Sequence, residues 1–448
     1  MMLHFSEALL PGGWRRDVRI SVAGGVIVAL DCDVPAQAGD ERFAVGVPGM
    51  ANLHSHTFQR GMAGLAKRRS AVAESFWSWR EVMYRFVGLL TPEDVAAVAG
   101  LAFMEMLEAG FTRVGEFHYL HHAPGGVRYA RQGEMAERIV EAAVVSGIGL
   151  TLLPVFYAHG GFGGVAPGAG QARFVHDLDG FARLHEVAGE ALRALPDGVL
   201  GVAPHSLRAV TEGELAACVG LAGGGPVHIH VAEQEREVAE CLAFHGERPV
   251  EWLLQRGMGD GWCAVHATHM TPAETAGLAA SGAVAGLCPL TEANLGDGIF
   301  EGAAYRAAGG RFGVGTDSNI RISLAGELEM LEYSQRLGLR GRNLMAAPGE
   351  SAGRALFEGA LLGGAAALGV ASGLRVGGAA DVVALDGAHP SMVGRAADGW
   401  LDGFVFAGAG AVDTVWRWGV KLVQGGRHVG REGIVAAYRA RMGRLLAG

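Results

Sequence analysis

The stretch Pro48-Gly49-Met50-Ala51-Asn52-Leu53-His54-Ser55-His56 decides how the rest of the chain is interpreted. It places two histidines one residue apart at the end of an apolar run. On an extended strand, residues i and i+2 point to the same side, so both imidazoles can reach one metal ion. An isolated His-x-His pair is more often two surface histidines on a loop. Whether His54 and His56 are metal ligands therefore depends on the residues that lie further along the chain.

Short apolar runs then alternate with longer helical segments, which is typical of parallel α/β proteins. We identify eight such runs, and the first leads directly into His54. They cover residues 43–47, 112–117, 149–156, 200–205, 227–231, 263–266, 283–288 and 311–317. Eight parallel strands, each followed by a helix, predict an α/β fold of the (β/α)8 TIM-barrel type.

The two ends of the chain have a different pattern, with short strand-like runs and glycine turns. Val18–Val22 and Val26–Leu30 flank Gly24-Gly25, which predicts a hairpin. Strand-like runs return after residue 373. We therefore predict a small discontinuous β-sandwich domain from residues 1–46 and 373–448, and a barrel domain from residues 47–372.

The composition excludes several classes of partner. The chain has 448 residues and a net charge of −9, and it has no long Lys/Arg run, so we expect no nucleic-acid partner. Five scattered cysteines without a Cys-x-x-Cys motif, and no signal-peptide pattern, favour a reducing cytoplasm. The apolar segment 356–374 contains Glu358 and many glycines, which favours a packed helix over a membrane span. We expect a cytoplasmic homodimer without a membrane partner.

The ends of the predicted strands are unusually polar, and the carboxyl ends of barrel strands are where catalytic groups lie. The groups found there are His54, His56, His230, His266 and Asp317. Neutral imidazoles together with a carboxylate suit zinc or another borderline divalent metal such as iron. Glu233, one turn past His230, can carry protons, although an acid at a helix N-terminus is also favourable for the helix dipole.

These strand-end motifs resemble the metal site of the amidohydrolase superfamily. The resemblance is carried by His54-Ser55-His56, by His230 with Glu233, by His266 and by Gly315-Thr316-Asp317-Ser318, and the segment 377–383 is similar to that superfamily's return into a β-sandwich. A bridging lysine near the end of strand four is missing, and His205 stands there instead. This departure resembles the mononuclear deaminase branch.

Several loop segments more closely resemble the formimidoylglutamate deiminase family. They are residues 52–61, 76–80, 116–119, 203–208 and 288–298, with Leu290 as a departure where a small polar residue is expected. The resemblance implies hydrolysis of N-formimino-L-glutamate to N-formyl-L-glutamate and ammonia in histidine breakdown.

The resemblance also implies a role for each candidate residue. One divalent metal ion, with zinc preferred, is expected on His54, His56, His230 and Asp317. Asp317, His266 and Glu233 are expected to handle protons and charge, and His266 is preferred to His269 because it directly ends its strand. The small anionic substrate is expected to contact Gln59, Arg80, Tyr119, His205 and Arg208.

Two other functions stay open at this point. One is a mononuclear deaminase acting on a nucleobase such as guanine or cytosine, whose pocket would need aromatic stacking and amide contacts. The other is an inactive barrel that serves as a binding or assembly protein. The complete set of ligand-type residues and Glu233 argue against the second function.

Overall fold

The two ends of the chain build one mixed sheet in the computed structural model, which describes residues 1–67, 76–408 and 410–446. The order across the sheet is β17-β16-β15-β14-β4-β1-β2-β3. Its strands are β1 (Met2–Leu10), β2 (Gly13–Ala23), β3 (Val26–Asp31), β4 (Glu41–Pro48), β14 (Val382–Leu385), β15 (Val412–Arg417), β16 (Val420–Gln424) and β17 (Arg427–His428). The predicted N-terminal hairpin is confirmed as β2–β3.

The central part of the chain forms two parallel sheets. The first has the order β5-β6-β7-β8, with β9 also paired to β7, and the second has the order β10-β11-β12-β13. Their bounds are β5 (Met50–Ser55), β6 (Phe111–His118), β7 (Gly149–Phe156), β8 (Val199–Leu200), β9 (Ala203–Pro204), β10 (Val227–Val231), β11 (Trp262–His266), β12 (Val284–Leu287) and β13 (Arg311–Val314). Isolated bridges join Val202 to Val227 and Ser55 to Asp317, so the two sheets touch at both of their outer edges.

The predicted first barrel strand, residues 43–47, was wrong. Those residues lie in β4, which pairs with β1 and β14 in the terminal sheet. The chain crosses into the parallel sheet at Gly49, and β5 follows at once. A Cβ at Gly49 would lie 2.3 Å from the Thr112 side chain, so only glycine permits this close crossing. Both runs are apolar, and sequence alone does not show which sheet each one joins.

Helices follow most of the parallel strands. They are α1 (Phe76–Val87), α2 (Pro92–Glu108), α3 (Glu134–Ser146), α4 (Leu178–Leu192), α5 (Glu212–Leu221), α6 (Glu235–His245), α7 (Pro249–Gln255), α8 (Pro272–Ser281), α9 (Pro289–Leu295), α10 (Gly302–Ala307), α11 (Leu324–Leu339), α12 (Ala352–Ala367), α13 (Asp398–Ala407) and α14 (Arg431–Leu446). Short 3-10 helices cover Thr57–Met62, Pro124–Gly126 and Ala169–Gln171. Thr91 and Thr271 are the N-caps of α2 and α8, each is followed by a proline, and each threonine forms a capping box.

The C-terminal helix α14 packs against α2, in the central part of the chain. Ile434 of α14 packs with Leu101 and Met104 of α2, and Arg444 pairs with Asp94. The division at residues 46 and 373, and the two-sheet form of the terminal domain, stay predictions. Among the described residues, no helix is both long and apolar enough to cross a membrane.

Candidate active site

Three imidazoles and one carboxylate converge where β5, β10 and β13 end. The Nε2 atom of His54 lies 3.2 Å from Nε2 of His56 and 3.1 Å from Nε2 of His230. Asp317 Oδ1 lies 3.3 Å from His56 Nε2 and 3.6 Å from His54 Nε2. All four residues are buried. Burial first, and then repulsion by neighbouring histidines, lowers the pKa of His54 and His230 well below the ordinary value.

The donor atoms of this cluster fit a divalent metal ion. Nδ1 of His56 donates to the Phe117 carbonyl at 2.9 Å, and Nδ1 of His230 donates to the His205 carbonyl at 3.1 Å, so their Nε2 lone pairs face His54. Tetrahedral zinc with bonds of about 2.05 Å places its ligand atoms roughly 3.3 Å apart. The four separations of 3.1–3.6 Å match this value. A cation between them also removes the repulsion between lone pairs that face each other.

A buried amide network fixes the edge where β5 meets the segment after β13. The His56 N–H donates to the Asp317 carbonyl at 2.9 Å, and the Asp317 N–H donates to the His54 carbonyl at 3.0 Å. Asn319 Nδ2 donates to Ser55 Oγ at 3.1 Å, to the His56 carbonyl at 3.2 Å and to the Asp317 carbonyl at 3.0 Å. Asp317 and Asn319 have φ angles of +41° and +53°, a region that side chains rarely adopt. The network therefore holds the carboxylate in a strained position.

His266 ends β11 beside three carboxylates. Its Nε2 lies 3.8 Å from Glu233 Oε1 and 4.0 Å from Asp317 Oδ2, and its Nδ1 lies 3.3 Å from Glu292 Oε1. Burial alone would lower the pKa of His266, but Glu233, the hydrogen bond to Glu292 and Asp317 together raise it to about 10. Burial raises the pKa of Asp317 to about 7, against the attraction of His266. His269, the rival to His266, does not line the site cavity.

Glu292 was not predicted as a site residue. It lies in α9, just after β12, and it also accepts a hydrogen bond from the Cys288 N–H at 3.0 Å. A polar residue that follows a parallel strand was the signal that could have found it, as it found the other site residues.

A cavity that is partly open to solvent lies over this cluster. Every predicted catalytic and substrate-contacting residue lines it, as do His56 and His230, whereas His54 lies beneath. The lining residues that were predicted are His56, Gln59, Arg80, Tyr119, His205, Arg208, His230, Glu233, His266 and Asp317, and those that were not are Phe76, Trp79, Met83, Tyr84, Tyr157, Phe174 and Leu295.

The polar groups of the cavity wall are fixed by neighbours and leave atoms available for a ligand. Gln59 Nε2 donates to Tyr119 Oη at 2.8 Å, while Gln59 Oε1 has no hydrogen-bond partner among the described residues. His205 Nδ1 contacts Ser206 Oγ at 3.0 Å. The buried Nε atoms of Arg80 and Arg208 likewise have no hydrogen-bond partner within the described ranges. Unsatisfied buried donors and acceptors cost free energy, and in a cavity wall such atoms are available to bind a ligand.

Arg173 explains how distant loops come to line the same cavity. Its buried guanidinium donates to the carbonyls of Val87, Leu90 and His122, the last at 2.7 Å. Its own carbonyl accepts the N–H groups of His121 and His122, both at 3.0 Å. These bonds join the end of α1 to the loops that carry Tyr119 and Phe174. No local sequence pattern revealed this connection.

Comparisons with known proteins agree with this geometry. Residues 45–422 match the model of the amidohydrolase family, and residues 1–44 match the N-terminal domain of formimidoylglutamate deiminase HutF. A formimidoylglutamate deiminase from Pseudomonas aeruginosa is 46% identical, with 99% of each chain covered. A 5-methylthioadenosine/S-adenosylhomocysteine deaminase from Halobacterium salinarum is 30% identical, covering 84% of this chain and 81% of the relative.

Solved structures show the same fold. An amidohydrolase from Brucella melitensis is 55% identical with a TM-score of 0.97, covering 99% of both chains. An adenosine deaminase from Xanthomonas campestris with bound zinc has a TM-score of 0.81 at 22% identity, covering 100% of this chain and 98% of the other, and shows the fold alone. The chain therefore belongs to the amidohydrolase family, in the branch of the formimidoylglutamate deiminases.

Proposed function

We propose that the protein hydrolyses the formimino C=N bond of N-formimino-L-glutamate, giving N-formyl-L-glutamate and ammonia, in histidine degradation. The relative from Pseudomonas aeruginosa supports this activity. The observation that carries the proposal is one cavity that joins a metal-type cluster to Arg80 and Arg208. No carboxylate among the described residues lies within 4.0 Å of either guanidinium, so their charge is available for a dianion.

We propose that His54, His56, His230 and Asp317 hold one divalent metal ion, with zinc preferred. The separations between their ligand atoms and the zinc in the Xanthomonas campestris structure support this choice. Such a metal supplies Lewis acidity and lowers the pKa of a coordinated water. We also propose that the two parallel sheets close into a full barrel, and the contacts at both outer edges support this. A cytoplasmic homodimer stays a prediction.

Three residues handle protons and charge in this proposal. Asp317 lines the cavity and takes a proton from the water whose oxygen bonds to the formimino carbon. The carboxylates around His266 raise its pKa, and its imidazolium stabilises negative charge on the oxygen that has bonded to the formimino carbon in the tetrahedral intermediate. Glu233 lies 3.8 Å from His266, within the same cavity, and protonates the departing nitrogen. The C–N bond then breaks and ammonia leaves.

The far part of the cavity orients the substrate. Arg80 and Arg208 each offer a planar pair of donors, which matches a carboxylate in bidentate geometry. Gln59 Oε1, without a hydrogen-bond partner among the described residues, is placed to accept a formimino N–H. Tyr119 fixes Gln59 at 2.8 Å, and His205 adds a further polar contact on the same wall.

A deaminase that acts on a nucleobase or nucleoside is the second candidate. The aromatic wall of Trp79, Tyr84, Tyr157 and Phe174 favours it, because planar bases stack on aromatic rings. The 30% identical relative from Halobacterium salinarum is named as a deaminase of nucleosides, 5-methylthioadenosine and S-adenosylhomocysteine, which also supports this candidate. Two guanidiniums without a carboxylate partner in the described part of the chain favour a dianion instead.

An ammonia-release assay of the metal-loaded protein tests the proposal. N-formimino-L-glutamate is compared with guanine, cytosine, 5-methylthioadenosine and formamidine at equal concentrations. We expect the highest kcat/KM with N-formimino-L-glutamate. Faster turnover of any base or nucleoside would refute the proposed substrate, and no turnover of any compound by fully loaded protein would refute the proposed activity.

A further inference from the structure

The indole ring of Trp77 lies among guanidinium groups from three different parts of the chain. The guanidinium carbon of Arg80, one turn further along α1, is 4.5 Å from the ring centroid. The corresponding distances are 4.6 Å for Arg236 in α6 and 5.8 Å for Arg208 after β9. Each of these distances is within the range of a cation–π interaction. One aromatic side chain thus contacts both arginines that line the cavity.

The three arginines differ in how their charge is balanced. Arg236 Nε is paired with Glu240 Oε1 at 2.7 Å on the surface. Arg80 and Arg208 have no carboxylate within 4.0 Å in the part of the chain that the structure describes. Their Nε atoms are buried and make no hydrogen bond to that part of the chain. Against the effect of burial, Glu237 and Glu233 raise the pKa of Arg208 from beyond 4.0 Å, but no carboxylate of the described residues contacts either guanidinium directly, so a direct contact of another kind must fix their positions.

An aromatic face is suited to this task, and a carboxylate is not. An aspartate or glutamate would neutralise the guanidinium and compete with a substrate carboxylate for its donor fork. The indole face attracts the cation through its quadrupole and leaves the in-plane N–H groups available. We propose that Trp77 is a positioning residue that holds Arg80 and Arg208 together as a receptor for a dicarboxylate.

This inference rests on the proposed function, which assigns the two arginines to the substrate carboxylates. Trp77 itself does not line the cavity, so it acts through the arginines and not by contact with the substrate. Its loss should therefore weaken the binding of a dicarboxylate and leave the metal and the proton-carrying residues unchanged. The expected signature is a higher KM with a nearly constant kcat.

The experiment measures the binding of glutarate, a dicarboxylate without the reacting group, to the zinc-loaded full chain by calorimetry. The variants are W77L, which removes the aromatic face, and W77F, which keeps a smaller one. W418L is the matched control, because Trp418 contacts Arg417 at 5.7 Å outside the cavity. We expect the Kd for glutarate to rise about 3- to 30-fold in W77L, by less in W77F, and not in W418L. The zinc content should be equal in all four proteins.

Steady-state kinetics with N-formimino-L-glutamate complete the test. We expect the KM of W77L to rise by the same factor as the Kd, with kcat within about threefold of the parent. An unchanged Kd in W77L, an equal loss in W418L, or no glutarate binding by the parent would overturn the inference. Normal glutarate binding by the parent without turnover of N-formimino-L-glutamate would refute the proposed function alone.

Discussion

Replacing Asn319 with alanine should loosen the proposed metal site without substituting any of its proposed ligands. Asn319 is fully buried and donates to Ser55, to His56 and to Asp317, and its Oδ1 accepts the Thr316 hydroxyl at 2.6 Å. Alanine removes all four bonds. The carbonyls of His56 and Asp317 would then lose one partner each at the edge where the two sheets meet.

The expected cost can be worked out from these contacts. Each lost hydrogen bond in a buried network costs about 1 kcal/mol, so the four bonds account for roughly 4 kcal/mol. Asparagine tolerates a φ of +53° better than alanine does, which adds about 1 kcal/mol. We therefore expect the free energy of unfolding of N319A to fall by roughly 4–5 kcal/mol. Because the bonded groups orient the metal ligands, metal affinity should fall about 10- to 100-fold.

The assay combines urea unfolding of the metal-free protein with a zinc competition titration against a chelator. N343A is the matched control, because Asn343 also has a positive φ of +55° but is exposed, and its side chain bonds to Arg336. We expect N343A to lose about 1 kcal/mol and to bind zinc normally. If N319A binds zinc as tightly as the parent, the network does not position the metal ligands and the reasoning fails.

Three other substitutions probe the site and its surroundings. R208M should raise the KM for N-formimino-L-glutamate roughly 10- to 150-fold, because charge-assisted hydrogen bonds to the substrate are lost. Elemental analysis should find the same zinc content as in the parent. A parallel loss of zinc would show that Arg208 supports the structure of the site and does not bind the substrate. E233Q should lower kcat about 10²- to 10⁴-fold at constant zinc content in the ammonia assay, and near-normal turnover would remove Glu233 from proton transfer. Glu116 is buried, and burial raises its pKa to about 7, so the folded state keeps a proton that the unfolded chain releases near pH 4.5. Its contribution to stability is present below about pH 4.5 and lost as pH rises through about 7. The free energy of unfolding of E116Q should therefore rise by about 3 kcal/mol relative to that of the parent across this range, as measured by urea unfolding of the metal-free proteins. A difference that stays constant with pH would contradict this prediction.

A strand could be located from the sequence where polar, metal-ligand-type residues stand at its end. The i, i+2 spacing of His54 and His56 required an extended backbone, and β5 supplies it. Apolar runs alone were not enough, because residues 43–47 are as apolar as a barrel strand and belong to the terminal sheet. Whether a run joins one sheet or another depends on pairing partners hundreds of residues away, and a local pattern does not contain that information.

The site divides in the same way. Residues at or shortly after the ends of strands, such as His230 and Asp317, could be predicted because parallel strands bring their carboxyl ends together. Phe174 was missed because it reaches the cavity on a long loop after β7 whose path depends on the buried bonds of Arg173. Tyr157 was also missed, although it directly follows β7 and the strand-end signal applied to it. Trp77 and Trp79 are two residues apart on one helix, and the sequence does not distinguish their roles. The structure shows that Trp77 contacts the arginines, whereas Trp79 lines the cavity.

The bridge between Ser55 and Asp317 has a consequence for how the protein is made. His54 is among the first residues to leave the ribosome, but its partner carboxylate is synthesised 263 residues later. At about 5–20 residues per second, the two are separated by roughly 13–50 s of translation. The nascent chain therefore holds His54 and His56 without their partner carboxylate during that time. If the four proposed ligands hold the metal, a chain that stops before residue 317 lacks one of them and should retain the metal less tightly.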